Sequence, residues 1–331
     1  MAVLVCGGAG YVGSHCLEVL QKAGYTCIVV DNLSRGHAQA VGNAPLLVGD
    51  ISDAHFLDQV FTEHRIDAVL HFAAASQVGE SMQNPILYYE NNLCATVTLL
   101  KAMLRHGVTQ IVFSSSAAVY GEAQQVPITE NSPKQPTNPY GETKLAMERL
   151  MHWCSQAYGL RYVSLRYFNA AGASPSGLIG EDHTPETHLI PLVLWAAQGR
   201  REKISVFGTD YPTPDGTCIR DYIHTTDLAQ AHLLALQYLE NGGASDCFNL
   251  GSQNGLSVLE IIKAAKQVTG VDFPVEFAPR RAGDPAVLVA SNQKAKEILG
   301  WIPQCSDAQS ILQSAWQWHR EHPNGFEVQK D

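Results

Sequence analysis

The stretch AVLVCGGAGYVGSHCLEVLQKAGYTCIVVD, residues 2–31, constrains the fold of this chain more than any other. Residues 2–6 are a short apolar run of the kind that forms a strand buried on both faces of a parallel sheet. Gly7, Gly10 and Gly13 follow at three-residue spacing and open an amphipathic helix running to Ala23, with Gly24 closing it. A second apolar run, CIVV, ends at Asp31. Strand, glycine turn, helix, strand and acid in that order bring bare backbone amides and a helix N-terminus to one point, where a pyrophosphate can bind. A carboxylate at Asp31 suits ribose hydroxyls and repels a 2′-phosphate, so NAD is expected over NADP. A turn that served only the chain would need the glycines but not the acid. Gly7, Gly10, Tyr11, Val12, Gly13, Asp31, Asn32 and Ser34 are therefore candidate cofactor contacts.

The alternation continues. APLLVGDISD reads as a strand ending at Asp50–Ile51, a pair placed to meet an adenine. IDAVLHFAAAS ends in Phe72, Ala73, Ala74 and Ser76, small enough for a cofactor to pass, and TQIVFSSS ends in Ser114–Ser116. Helical segments lie between, including residues 86–107, which carry Asn91. Strands alternating with helices predict an α/β fold, a doubly wound parallel (Rossmann-type) sheet with ligands at the strands' C-terminal ends. LRYVSLRYFN reads as a further strand that ends the cofactor half at residue 169 and brings Phe168 to the cofactor edge. Residues 170–331 are expected to form a smaller mixed domain that binds substrate. DCFNLGS looks like a late strand returning to the main sheet, so the halves should interleave.

NPYGETK places Tyr140 and Lys144 four residues apart, on one face of any helix it opens. A free phenol, with pKa about 10, is a poor base at neutral pH. A cation about 4 Å away, at an effective dielectric of about 20, favours the phenolate by roughly 4 kcal/mol. On a solvated surface the same pair would mean nothing. Here it falls on the cofactor edge with the serines, at least one of which is expected to cap a turn.

Charge and cysteine usage narrow the classes. With 22 basic against 32 acidic residues, a general nucleic-acid or anionic-membrane surface is not expected. The eight cysteines stand apart without CxxC pairs, which fits reduced thiols in a cytoplasmic protein, and no metal site is expected. No apolar run reaches membrane-spanning length, and the apolar start lacks a basic lead, so it reads as a strand and not a signal peptide.

GGAGYVG, the serine run and YGETK together resemble the extended short-chain dehydrogenase/reductase family. Further motifs in order, DNLSRG, HFAAASQVGESM, LRYFNAAGASPSG, VFGTDYPTPDGTCIRDYIHTTDLA and PRRAGDPAVLVAS, are similar to its NAD-dependent branch that inverts C4 of UDP-hexoses. The resemblance covers nearly the whole chain. It implies tightly held NAD, regenerated each cycle, Tyr140 as acid/base, Lys144 as its activator and a nicotinamide-ribose contact, and Ser116 sharing the reacting proton. It also implies Asn169 and Arg220 on the substrate diphosphate, Arg281 and Asp284 on the second phosphate and ribose, and Leu189 and Phe207 beside uridine. Tyr222 joins the substrate candidates, although packing is the simpler role for it, as for Tyr211 and His224. A homodimer through the 86–107 and YGETK helices is implied as well.

Three departures qualify the resemblance. Ser76 stands where many members carry a Lys that reaches the pyrophosphate, and Ala118 where many carry Thr. Leu288 stands at the sugar-pocket wall, intermediate between a Tyr that excludes N-acetylated sugars and a small residue that admits them. The main expectation is interconversion of UDP-galactose and UDP-glucose, with the N-acetylated pair as the alternative. A dehydratase would want a carboxylate at Ala117–Ala118, a simple dehydrogenase would exchange its cofactor, and a silent NAD-binding regulator would have little use for Ser116, Tyr140 and Lys144 together.

Overall fold

The computed structural model describes residues 1–123, 125–281 and 284–326; Ala282 and Gly283 of PRRAGDP and residues 327–331 of the expected second domain lie outside the described residues. The strands are β1 (Ala2–Cys6), β2 (Thr26–Asp31), β3 (Leu46–Val48), β4 (Ala68–His71), β5 (Gln110–Ser114), β6 (Arg161–Arg166), β7 (Asn169–Ala171), β8 (Ile204–Phe207), β9 (Ile219–Arg220), β10 (Tyr222–His224), β11 (Asp246–Asn249), β12 (Leu256–Ser257), β13 (Val275–Ala278) and β14 (Val287–Leu288). The helices are α1 (Tyr11–Lys22), α2 (Ala54–Glu63), α3 (Val78–Gln83), α4 (Pro85–Tyr88), α5 (Ala95–Arg105), α6 (Pro139–Tyr158), α7 (Leu189–Ala197), α8 (Thr225–Glu240), α9 (Val258–Thr269), α10 (Gln293–Leu299) and α11 (Ala308–Glu321).

Seven parallel strands form the central sheet in the order β11-β6-β5-β4-β1-β2-β3. Buried on both faces, the inner strands β1, β2, β4 and β5 are nearly continuous apolar runs, as a parallel sheet requires. Leu17 and Leu20 of α1 and Leu228 and Leu236 of α8 cover one face. Leu57 of α2, Leu99 of α5 and Met147 and Met151 of α6 cover the other. Strand order reverses between β1 and β4, and a crevice opens there beyond the strands' C-terminal ends. A separate apolar core joins α7, α9 and α11 in the C-terminal half.

Two elements depart from the sequence reading. The strand expected to reach residue 169 ends at Arg166, because Asn169 turns away to start β7, whose partner is β10 in register Asn169↔Tyr222. The expected helix over 86–107 is continuous only through a π-helical segment, Tyr89–Cys94, between α4 and α5. A π-segment widens the turn and re-aims side chains. Here it turns Asn92 inward, where its side chain accepts from Ala75 N at 2.8 Å and donates to Ala75 O at 3.1 Å and Thr143 Oγ1 at 3.1 Å.

Candidate active site

The glycine turn works by close approach. Gly7 has φ +79°, and a Cβ there would stand 2.5 Å from Ala73 N. A Cβ on Gly13 would stand 2.2 Å from Gly7 O, so Gly13 lets α1 pack onto the turn and does not itself line the crevice. The Tyr11 hydroxyl donates to Gly172 O at 2.5 Å, and Val12 packs into the core beneath α1. What Tyr11, Val12 and Gly13 can offer a ligand is therefore backbone at a helix N-terminus.

The crevice is a cleft of about 540 Å³ lined by Gly7, Gly10, Asp31, Asn32, Ser34, Asp50, Ile51, Phe72, Ala73, Ala74, Ser76 and Asn91, all expected from sequence. Asp31 accepts from Ala9 N through Oδ2 and from Leu33 N through Oδ1, both at 2.9 Å. Burial pushes its carboxyl up, and these two amides pull it back. Each oxygen keeps a lone pair for a ribose hydroxyl. Asn32 Nδ2 donates to Asp50 Oδ2 at 2.8 Å, and Ser34 Oγ to Asn32 Oδ1 at 2.7 Å.

Arg35, His37, Glu80, Asp182, His183 and Thr184 also line the cleft, and the sequence reading passed over all of them. Arg35 donates to Thr184 O at 2.9 Å and to Glu80 Oε1 at 3.1 Å, tying the 182–185 loop and α3 to its own loop across the cleft. Its place in DNLSRG, four residues after Asp31, was a legible signal.

Tyr140 opens α6, where Asn138 caps the helix by accepting from Gly141 N at 2.9 Å. Tyr140, Lys144 and Glu148 fall on one stripe of that helix at four-residue spacing. Lys144 is 2% exposed, and its Nζ donates to Ser114 O at 2.8 Å. Its Nζ lies 5.8 Å from the centroid of the Tyr140 ring. Burial pushes the Tyr140 phenol up, opposite to the expected direction, while its hydrogen bond with Ser116 pulls it down. Burial also lowers Lys144 to about 7, with Glu148 opposing.

The serines divide their work. Ser114 Oγ shares a 2.6 Å hydrogen bond with Tyr167 OH. Ser115 Oγ donates to Glu148 Oε1 at 2.6 Å. Ser116 Oγ accepts from Ala118 N at 3.1 Å, so the cap and the contact with Tyr140 are one side chain. Beneath them Glu148 pairs with Arg166, Arg166 Nη1 donates to Tyr120 OH at 2.7 Å, and Tyr120 donates to Asn249 Oδ1 at 2.6 Å.

On the substrate side, Arg220 pairs with Asp284, not with its neighbour Asp221, and Arg281 stacks 4.0 Å above the Phe207 ring, not against Asp284. Asp221 is instead spent on structure, accepting from Ser252 and from Ala290 N. Asn169 Nδ2 donates to Asp221 O at 3.0 Å. Leu288 sits in register with Arg220 across β9 and β14 and packs with Phe168 against Ala117, Val119 and Tyr120. Leu189 leans on the core of the C-terminal half, and Tyr222 is buried in it. The expectation of no metal meets four ligand-type side chains, Glu181, His183, Glu186 and His188, whose ligating atoms lie within 4.8 Å of one another.

The fit to a dinucleotide is made by the backbone cradle at Gly7, which a side chain would fill, and by the oriented Asp31 carboxylate at the end of β2. The comparisons agree with that geometry. A UDP-glucose 4-epimerase of Halalkalibacterium halodurans is 57% identical over 329 residues, covering 99% of this chain and 98% of that protein. A crystal structure of a UDP-glucose 4-epimerase matches with TM-score 0.98 at 56% identity, over 99% of this chain and 100% of that one. The UDP-glucose 4-epimerase of Brucella ovis, solved in complex with NAD, matches with TM-score 0.93 at 47% identity, over 95% of this chain and 97% of that one. The profile of the NAD dependent epimerase/dehydratase family spans residues 3–251, from β1 past β11, and this chain belongs to that family.

Proposed function

We propose that this chain is an NAD-dependent 4-epimerase that interconverts UDP-galactose and UDP-glucose. The observation that carries the reading is the joining of Tyr140, Ser116 and Lys144 at the end of β5, linked through Asn92 and Ala75 to a cleft built for a dinucleotide. When bound in that cleft, NAD supplies reversible oxidation at C4 of the sugar. Gly7, Gly10, Asp31, Asn32, Asp50 and the Phe72–Ser76 segment would hold it, with Lys144 on the nicotinamide ribose.

C4 has no acidic neighbour, so its inversion needs oxidation to a ketone and reduction from the other face. Tyr140 takes the 4-hydroxyl proton in the first half and returns it in the second. Ser116 donates to the same oxygen and keeps Tyr140 aligned. The 4-keto hexose must turn over between the halves while its UDP end stays fixed. Arg220 and Arg281, on β9 and beside Phe207, supply forked donors for the diphosphate, with Asn169, Leu189, Phe207, Tyr222 and Asp284 around it. Ala117 and Ala118 bring no carboxylate to the neighbouring carbons, which disfavours a dehydratase.

The eight free cysteines support a reducing, cytoplasmic setting. A homodimer through α4, α5 and α6 is supported by exposed apolar side chains there, Ile86 at 69% and Trp153 at 67%. A sedimentation mass near 36 kDa, that of one chain, would overturn it.

UDP-galactose given to the purified protein without added NAD should yield UDP-glucose, followed by chromatography. Loss of that conversion in Tyr140→Phe supports the reading; no conversion with or without NAD rejects it. A second reading, turnover of N-acetylated UDP-hexoses, is favoured only by the intermediate volume of Leu288.

A further inference from the structure

Behind the loop that closes the cleft, Glu181, His183, Glu186 and His188 converge from one short segment just before α7. His183 Nδ1 lies 3.3 Å from Glu181 Oε1 and 3.6 Å from Glu186 Oε2; His188 Nδ1 lies 2.8 Å from Glu181 Oε1 and 3.1 Å from Glu186 Oε1. A tetrahedral ion with bonds of about 2.0–2.1 Å has ligand-to-ligand edges of about 3.3–3.4 Å; the four His–Glu spacings are close to that, and the widest pair, within 4.8 Å, would have to close on the ion. Glu181 is 5% exposed, and its Oε1 meets His183 Nδ1 and His188 Nδ1 at ion-pair distance without a well-aligned hydrogen bond. Buried carboxylate and imidazole atoms that face one another without aligned hydrogen bonds leave lone pairs that a shared cation could take. Glu186 is already oriented, since its Oε1 accepts from Thr187 N and His188 N, both at 2.7 Å.

Two imidazoles and two carboxylates in a tetrahedral spacing are a ligand set for zinc-class divalent cations, harder than a thiolate site and softer than an all-oxygen one. Its position says what an ion would do. Asp182, His183 and Thr184 line the cleft, and Arg35, His37 and Gln77 bond to the backbone of residues 182–185 from across it. The His183 ring stands edge-on to Tyr11 at 5.9 Å, close to the helix N-terminus expected to face a pyrophosphate. Two carboxylates near that diphosphate would repel it unless the paired imidazoles or a bound cation neutralised them.

We propose that Glu181, His183, Glu186 and His188 form a divalent-cation site of zinc-type chemistry that fastens the closing loop over the cofactor cleft. The ion site stands independently of the activity; only its effect on the cofactor rests on reading the cleft as an NAD site.

Full-length, untagged protein carrying its own NAD would be treated with EDTA, dialysed against ZnCl₂, freed of excess ion and assayed for zinc by mass spectrometry. About one zinc per chain is expected, with affinity at least about tenfold weaker in His188→Gln and in His183→Gln/His188→Gln. Cobalt in place of zinc should give the visible absorption of a tetrahedral nitrogen–oxygen site without a thiolate band. His188 is half exposed, so His188→Gln should fold; a melting temperature in EDTA equal to the parent's verifies it. Little zinc in the parent, or equal zinc in the variants, overturns the site and leaves a pair of His–Glu ion pairs. In a second arm, dissociation of NAD on dilution should be several-fold slower with zinc than in EDTA; equal rates overturn the fastening role. Protein that binds zinc but contains no NAD would reject the reading of the cleft while upholding the ion site.

Discussion

Glu148 and Arg166 meet inside the protein as a forked ion pair, with Nε 2.8 Å from Oε1 and Nη2 2.5 Å from Oε2. The pair lies one turn of α6 beyond Lys144, and the same Glu148 oxygen receives Ser115 Oγ, so the serine loop and the tyrosine helix share one buried charge. Removing one partner leaves the other charged and unpaired. Arg166→Met and Glu148→Gln should each lower unfolding free energy by about 3–5 kcal/mol, read from urea midpoints. The double replacement by apolar residues should cost less than either single change.

Tyr140→Phe removes a hydroxyl and nothing else. Turnover should fall by about 10²–10⁴, while NAD content and melting temperature stay near the parent's. Ser116→Ala should cost less, because it removes an aligning contact and a turn cap and not the base. Equal losses in the two variants would move the acid/base role away from Tyr140.

Lys144 makes stability depend on pH in a defined direction. Its pKa is about 7 in the folded chain against 10.5 ordinarily, so between those values the unfolded chain binds a proton that the folded one does not. Stability therefore rises with pH across that window. Lys144→Met should abolish turnover and be more stable than the parent near pH 7, with the gap narrowing towards about pH 9.5. Urea unfolding at several pH values measures it, and a gap that stays constant would show that the ammonium is not buried at a cost.

Arg220 already forms an ion pair with Asp284, so a diphosphate arriving there must share or displace that partner. Arg220→Lys keeps the charge but loses the fork. The KM for UDP-galactose should rise by about tenfold with kcat changed much less, provided the residue holds the UDP end in ground and transition states alike.

Leu288 packs against the small apolar cluster that includes Ala117, the neighbour of Ser116, and lies in register with Arg220 on the adjacent strand. Its size can therefore decide what sugar substituent fits. Leu288→Gly should raise kcat/KM for UDP-GlcNAc relative to UDP-glucose by about tenfold or more, and Leu288→Tyr should lower it. An unchanged ratio in both would place the sugar elsewhere.

Much of the candidate cleft was legible because it is written in backbone rules. Glycines at Gly7 and Gly13 are required by approaches of 2.5 and 2.2 Å, and Asp31 marks a strand end by its position after an apolar run. The polar support was not legible. Glu148, Arg166, Tyr120 and Asn249 are far apart in sequence, and each alone looks like a surface or packing residue until the fold closes their hydrogen bonds. Ion-pair choice was illegible for the same reason. Neighbouring Arg220 and Asp221 sit on strand-like backbone that sends successive side chains apart, so Arg220 finds Asp284 in the loop that leads into β14. The loop cluster at residues 181–188 has ligand-type residues at two- and three-residue spacing, but only the loop's path brings all four to one point.

The placement of β11 bears on how this protein can be made. Its four residues close the outer edge of the central sheet beside β6, yet they follow β6 by some eighty positions and come after the whole of α8. A nascent chain leaving the ribosome must therefore keep β6 unpaired on one side until residue 249 has emerged, and an open parallel edge invites pairing with another chain. Cutting the gene after the sixth strand would not yield a small cofactor-binding module. It would yield a sheet with a bare flank, stripped as well of the α8 leucines that cover one of its faces.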